Sequence, residues 1–377
     1  MLCSFSVKNY RGFKDKVTLD LTSSDYKFNN ECIKDGYANK ALIYGYNGVG
    51  KSNLGLAIMD IITNLTDKEK TLLLDSNYRN AETDNNIIEF EYIFKFQEII
   101  IKYQYGKKTP EHIVFEYLYI NEKKILSYNR TLEEPLIINL HGTETLLKDI
   151  NKIQISVLKY IKSNTALDES PETYAIKSFF SFVDGMLLFR NLLDEKKYVG
   201  YVVGGWRIFD DIINKNHFQD FIDFLASARV PNNIEFKKIG EQHEVFFSYE
   251  TESKRKNEID FFKYSSTGMK TLSLLFFWLQ KTGNDNIPPS FIFIDEFDAF
   301  YHQELSEFVI KEIKKFNNCQ IILTTHDTGV MSNDIMRPDC LFLMYKDKIR
   351  SLSNSTRKEL RSAHNIEKMY RAGAFDE

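Results

Sequence analysis

The sequence predicts an α/β fold: a parallel sheet covered by helices, joined to an antiparallel β meander and a helical insertion. Three observations predict it. An apolar strand, Ala41 to Tyr44, runs into a glycine-rich loop and then into a helix that begins near Lys51. In the last third of the chain, apolar strands at Phe291 to Ile294 and Gln320 to Thr324 alternate with helical patterns at Met269 to Gln280 and Gln303 to Phe316, as in a helix-covered parallel sheet. Between these parts, Ile87 to Phe96, Ile99 to Tyr105 and His112 to Ile120 alternate apolar and polar residues, with turns at Gly106-Lys107-Lys108 and Asn121-Glu122, as a meander does.

The remaining elements follow from the same periodicities. Leu2 to Tyr10 and Val17 to Leu21 read as strands on either side of Arg11-Gly12-Phe13. Leu147, Ile150, Val157 and Ile161 recur at helical spacing between Thr143 and Ile161, and similar patterns cover Thr173 to Leu192 and Trp206 to Ala226. Strand signals return at Ile234 to Ile239 and Glu244 to Tyr249. The expected organisation is therefore 1–140 as the N-terminal part of a core with its glycine loop and meander, 141–230 as a helical insertion, and 231–377 as the C-terminal part of the same core. Neither an internal repeat nor a low-complexity tract interrupts it.

Composition narrows the class. Hydrophobic residues make up 43% of the 377, enough for a large core, and the 30 Phe and 21 Tyr are expected to fill it. The 49 basic and 53 acidic residues leave a net charge of -4, so charge does not indicate nucleic acid as a partner. The basic runs Lys254-Arg255-Lys256 and Lys123-Lys124 read as solvated faces. Cys3, Cys32, Cys319 and Cys340 stand far apart, which suits neither a zinc site nor a disulfide framework. Met1 to Phe5 runs straight into a strand pattern, and no apolar run approaches the roughly 20 residues of a membrane span. A cytoplasmic protein with no membrane contact is expected.

Four segments carry chemistry. Gly45-Tyr46-Asn47-Gly48-Val49-Gly50-Lys51-Ser52 fits GxxxxGK[ST] at every fixed position, between a strand and a helix. Its glycines let backbone N–H groups approach phosphate oxygens, Lys51 supplies a charge, and Ser52 offers a hydroxyl to Mg²⁺. Phe291-Ile292-Phe293-Ile294 ends in Asp295-Glu296; a strand of this kind delivers Asp295 to the Mg²⁺ shell and Glu296 to an attacking water. Thr324-Thr325-His326-Asp327 follows another apolar strand about thirty residues later, where His326 is placed to sense a γ-phosphate. Ser265-Ser266-Thr267-Gly268-Met269-Lys270 opens an apolar helix; read alone, it is a helix cap.

Taken in order, these four segments resemble the ABC ATPase superfamily, with an ABC-type P-loop ATPase core. The S-x-G pattern of Ser266 and Gly268 resembles the ABC signature, and Asp298 resembles its D-loop residue. The opening, Phe5-x-Val7-x-Asn9-Tyr10-Arg11-Gly12-Phe13, is similar to the start of SMC, RecF and OLD-type ATPases, and so is Asp295 through His302. The ending, Tyr370-Arg371-Ala372-Gly373, resembles the OLD/RecF-like group.

The resemblance implies ATP and Mg²⁺ as cofactors. It places Gly45, Asn47, Gly48, Gly50, Lys51, Ser52, Asn53 and Arg11 around the nucleotide, Ser52 and Asp295 on the metal, and Glu296, Lys51 and His326 in catalysis. It also implies a head-to-tail dimer or higher homo-oligomer, in which Ser266, Gly268 and Asp298 complete the partner copy's site. The signature lacks the second glycine and the glutamine of transporter subunits, and no glutamine stands out as a Q-loop residue; Gln97 and Gln104 fall in expected strands. The insertion is too short for an SMC coiled coil, and the residues after the core are too few for the Toprim nuclease domain of OLD nucleases, so none is expected here. Stand-alone ATPases of this group, as in Septu- and PARIS-type anti-phage systems, imply a sensor or scaffold that controls a separate effector such as a nuclease. The alternatives are a RecF/SMC-type DNA-repair ATPase and a nucleotide-bound scaffold with negligible turnover.

Overall fold

The computed structural model describes residues 1–68, 77–132, 135–140, 143, 155–164, 169–190, 198–200, 208–240, 242–284 and 289–375. The chain opens with β1 (Leu2–Lys8), β2 (Val17–Asp20), β3 (Ile33–Lys34), β4 (Tyr37–Ala38) and β5 (Lys40–Tyr44), then α1 (Lys51–Met59) and α2 (Ile61–Leu65). The meander follows as β6 (Ile88–Phe96), β7 (Ile99–Thr109), β8 (His112–Ile120), β9 (Lys123–Asn129) and β10 (Ile137–Ile138). Next come α3 (Val157–Asn164), α4 (Pro171–Asp184), β11 (Met186–Arg190), β12 (Tyr198–Gly200), α5 (Ile208–Asn214) and α6 (Phe218–Ser227). A small sheet is built from β13 (Ile234–Ile239), β14 (Gln242–Glu250) and β15 (Lys256–Asp260), followed by α7 (Phe261–Tyr264) and α8 (Thr267–Asn284). The chain continues through β16 (Phe291–Asp295), α9 (Gln303–Lys314), β17 (Gln320–Thr325), β18 (Leu341–Met344), β19 (Ile349–Ser351) and α10 (Ile366–Arg371).

Contacts divide the chain into two compact units. The first contains Met1–Val202, Pro289–Phe297 and Asn317–Glu377; the second contains Val203–Pro288 and Asp298–Phe316. The first unit holds two seven-stranded sheets. One is antiparallel, in the order β10-β9-β8-β7-β6-β1-β2; the other runs β12-β11-β16-β17-β5-β18-β19. In the latter, β11, β16, β17, β5 and β18 are parallel, and the antiparallel β12 and β19 close its edges.

Helix α1 is apolar around most of its circumference, as a helix buried between layers must be. Toward the parallel sheet, Gly55 admits Phe293 so closely that a Cβ would lie 2.6 Å from its ring. Toward the meander, Tyr92 Oη donates to Ala57 O at 3.0 Å. The expected aromatic core is there too: Phe94 and Tyr103 of the meander meet Phe179 of α4 at 5.1 and 5.8 Å. In the second unit, Phe209 packs on Phe221 and Phe261 at 5.3 and 5.2 Å.

Several elements differ from their sequence expectation. The turn expected at Gly106-Lys107-Lys108 lies inside β7, which runs on to Thr109, and the helical pattern read from Trp206 to Ala226 divides into α5 and α6. The helical pattern read from Thr173 through Leu192 ends at Asp184, and Met186–Arg190 is a strand paired parallel with β16. Met-Leu-Leu-Phe is a short apolar run without period, and such a run fits a buried strand as well as a helix. Gly185 breaks the helix, and its position admits no Cβ, because Ser290 Oγ would lie 2.7 Å away. Of the helix expected from Thr143 to Ile161, 144–154 lie outside the described residues. Gln97 occupies the turn between β6 and β7 at φ +54°, rather than a strand.

At the start of β5, the Lys40 ammonium is fully buried and donates to Cys319 O at 2.7 Å. Burial lowers its pKa from 10.5 to about 8. Cys319 beside it stays a neutral thiol, pushed up to about 12 by burial. A lowered lysine pKa means that the unfolded chain holds more protons between pH 8 and 10.5, so this group makes stability rise with pH through that window. Lys40→Met is expected to flatten that rise, as read by urea denaturation at pH 7.5 and pH 10; an unchanged slope would show that the amine does not titrate as described.

Candidate functional site

The site is built at the carboxyl ends of three adjacent strands of the parallel sheet. Strand β17 lies between β16 and β5. Their ends are nearly level, with Leu323 opposite Ile294 and Thr325 opposite Tyr44. The acidic pair, the Thr324-Thr325-His326 segment and the glycine loop therefore stand side by side, and β16 and β5 are two strand spacings, roughly 10 Å, apart. Open parallel sheets bind ligands at such an edge.

Residues 45–52 leave β5, which is buried along its length, and enter α1. The Gly45 N–H donates to Thr325 O at 3.3 Å, fixing the start of the loop to β17. Gly48 and Gly50 adopt φ of +83° and +108°, conformations that side-chain-bearing residues rarely take. At Gly50 a Cβ would also lie 2.9 Å from the Phe13 ring. Such a loop turns successive N–H groups toward an anion. Lys51 folds back over it: Nζ donates to Gly45 O at 2.6 Å and to Tyr46 O at 3.2 Å, and the side chain is 5% exposed. Ser52 and Asn53 are half-buried in the first turn of α1, and Asn47 is exposed in the loop.

The turn after β1 sits against this loop. Tyr10 and Phe13 exchange two backbone hydrogen bonds, at 2.9 and 2.7 Å. Arg11 takes φ +46° in the turn, its N–H donating to Tyr78 O at 3.2 Å and its carbonyl accepting from Asn80 Nδ2 at 2.6 Å. Phe13 covers Gly50, and a Cβ on Gly12 would stand 3.4 Å from Asn53 Nδ2. Arg11 is thereby carried to the side of the loop.

On β16, Asp295 is 4% exposed, and its Oδ1 accepts from the Thr324 hydroxyl at 2.8 Å. Glu296 is the first residue beyond the strand and takes φ +48°. For a residue with a Cβ this costs about 1–3 kcal/mol, and it persists only where surrounding bonds hold it. They do so here: the Glu296 N–H donates to Thr324 Oγ1 at 2.8 Å, and the Phe297 N–H to Thr324 O at 3.1 Å. His326 is exposed just past β17. After it, Asp327 Oδ1 accepts from the Gly329 N–H at 2.8 Å, turning the chain away from the sheet.

The chain's ending also reaches this edge. The Tyr370 ring lies 5.0 Å from Tyr44, whose ring is 6.0 Å from that of Tyr46 in the loop. Arg371 donates to Glu367 at 2.7 Å and to Thr328 Oγ1 at 3.3 Å, tying α10 to the segment after His326.

Ser266, Gly268 and Asp298 belong to the second unit. Ser266 Oγ accepts from the Met269 N–H at 3.2 Å and so caps α8. A Cβ on Gly268 would meet Phe300 O at 2.9 Å, so the helix start packs directly on the segment after Asp298, which is itself buried. Sequence reasoning passed over Thr324, which it set inside the His326 motif without a role, and Gly55, a glycine within an apolar helical pattern that signals close approach of another element.

Among the described residues, no helix is long and apolar enough to cross a membrane. The chain resembles several solved structures in part. The SMC head bound to the C-terminal winged-helix domain of ScpA is 16% identical, over 93% of this chain and 97% of that one, with a TM-score of 0.46. The SMC head domain from Thermotoga maritima is 16% identical, over 93% and 98%, with a TM-score of 0.41. The SMC head with an extended coiled coil bound to the C-terminal domain of ScpA, derived from Pyrococcus furiosus, is 15% identical, over 98% of each chain, with a TM-score of 0.46. No significant sequence match to a curated protein is found. The family model described as "AAA domain, putative AbiEii toxin, Type IV TA system" matches residues 40–332, from the first residue of β5 to beyond His326. That stretch is well over half of the chain and contains the glycine loop, the acidic pair and the strand between them, and the chain therefore belongs to this AAA family of P-loop nucleotide-binding ATPases.

Proposed function

We propose that the chain binds ATP in the 45–52 loop and hydrolyses it with Glu296 as the base, in a dimer whose two copies share the sites. The observation that carries this reading is the level alignment of three strand ends, which sets Lys51, Asp295-Glu296 and His326 around one edge of the sheet. The loop N–H groups and the start of α1 bind the β- and γ-phosphates, and Lys51 exchanges its two carbonyl partners for phosphate oxygens. Asn47 and Asn53 border the phosphates, and Arg11 lies against the nucleotide from the turn that packs on Gly50.

The donor set fits Mg²⁺, a hard cation that takes oxygen ligands and retains several waters. Ser52 Oγ and the Asp295 carboxylate would hold it, and when bound it neutralises charge on the transferred phosphoryl group. Glu296 accepts a proton from the attacking water. His326, exposed one strand away, contacts the γ-phosphate. Ser266, the N-terminus of α8 and Gly268 of the second copy close over that phosphate, with Asp298 at the same interface. Resemblance to the OLD/RecF-like group supports a further step: ATP-driven closure holds or releases a separate effector protein, with the chain as sensor or scaffold.

Lys51→Ala is expected to weaken ATP binding by about two to three orders of magnitude, the range for removing one partner of a buried charge contact. Titration with a fluorescent ATP analogue reads it directly. Unchanged affinity would overturn the assignment of the loop.

A further inference from the structure

We infer that Thr324 is the residue that positions both acidic groups of the site, the metal-side carboxylate and the catalytic glutamate, through a single hydroxyl. The inference rests on the reading of Asp295 and Glu296 given above and assigns a role to a residue outside that reading. Thr324 is fully buried near the end of β17, one residue beyond the registered pair Ile294 and Leu323. Its Oγ1 donates to Asp295 Oδ1 at 2.8 Å and accepts the Glu296 N–H at 2.8 Å. A hydroxyl carries one proton, so this donor is committed to the carboxylate while a lone pair takes the amide. The Thr324 carbonyl accepts the Phe297 N–H at 3.1 Å, so the peptide units on both sides of Glu296 are anchored to one residue of the neighbouring strand.

Two consequences follow from this geometry. The donated proton orients the Asp295 carboxylate through Oδ1, and that carboxylate is the group that would hold the metal. The accepted amide stabilises Glu296 at φ +48°, a left-handed backbone conformation outside the extended region of the strand it follows. A β-branched side chain suits the task, since its χ1 is stiff and the hydroxyl cannot swing away at small cost. Burial keeps water from substituting for it. Residues that orient ligands in this way typically change metal affinity or activity 10- to 100-fold when altered.

Thr324→Val keeps the shape and removes the hydroxyl, and Thr324→Ser keeps the hydroxyl. In the full chain, with MgATP as the probe, Thr324→Val is expected to lower kcat about 10- to 100-fold. It should also raise the Mg²⁺ concentration needed for half-maximal turnover, while ATP affinity in EDTA stays near that of the native chain; the thermal midpoint should fall modestly, because a buried amide and carboxylate lose a partner. Thr324→Ser is expected to restore kcat to within about threefold, on the same reasoning that the hydroxyl carries the effect. If the Val variant does not fold, Thr324→Cys replaces it, a thiol being a poor donor, with the same losses expected. Native kcat and Mg²⁺ dependence in the Val or Cys variant overturn the inference, as does a Ser variant as slow as Val. Glu296→Gln assayed alongside separates the two readings: if it is inactive while Thr324→Val turns over normally, only the role of Thr324 fails. If Glu296→Gln is fully active, the assignment of the base fails first.

Discussion

Glu296→Gln is expected to bind ATP with near-native affinity while its turnover falls by about 10²–10⁴, the usual contribution of a general base. The amide preserves size and hydrogen-bonding reach but cannot take a proton from water, so the loss falls on the chemical step rather than on binding. Backbone geometry around the position is set by the Glu296 and Phe297 amides, both held by Thr324, and the substitution leaves those bonds in place. A site that binds but does not hydrolyse keeps its γ-phosphate, so the variant is expected to accumulate as an ATP-bound dimer. Light scattering coupled to gel filtration, with and without MgATP, reads the mass directly. A mass that ATP leaves unchanged would count against closure between two copies, and native turnover in the variant would remove Glu296 from the chemistry.

The second large effect concerns stability and lies beneath the loop's helix. Asp60 follows α1 directly and is fully buried. Its Oδ1 accepts from Lys107 Nζ at 2.6 Å and from Tyr105 Oη at 2.9 Å, and its Oδ2 from Tyr78 Oη at 2.5 Å. Lys107 also donates to Thr63 Oγ1 at 2.5 Å. Burial raises the Tyr78 and Tyr105 hydroxyls well above the usual range, so both remain neutral donors to the carboxylate. Asp60→Ala would leave the Lys107 ammonium buried without its counter-ion, which typically costs 3–5 kcal/mol. Against the roughly 5–15 kcal/mol that holds a domain together, that loss is large. Urea denaturation is expected to show the midpoint falling accordingly. The double variant Asp60→Leu/Lys107→Met, which removes both charges, should recover much of the loss. A single variant as stable as the native chain would show that the pair contributes nothing.

The glycine loop and the acidic pair were legible in the sequence because their chemistry is local. A strand, a turn that needs glycine and a helix start are consecutive in the chain, and each leaves a compositional mark. Strand β11 was not legible, since Met186–Arg190 follows a helix without a change of period, and its partner β16 lies a hundred residues on. Asp60 and Lys107 could not be paired from spacing, because nothing local sets an aspartate after one helix against a lysine in β7. Thr324 was hidden for a related reason: a threonine at a strand end is ordinary, and only the register with β16 gives its hydroxyl two partners. Gly268 was singled out by its pattern alone, and the structure adds a packing reason for a glycine there, since a Cβ would meet Phe300 O at 2.9 Å.

The most direct test is steady-state phosphate release by the purified native chain at saturating ATP, with Lys51→Ala measured in parallel. Turnover that requires Mg²⁺ and is absent from Lys51→Ala is the predicted result. Release that Lys51→Ala retains, or no release from the native chain at any Mg²⁺ concentration, would contradict hydrolysis at this site.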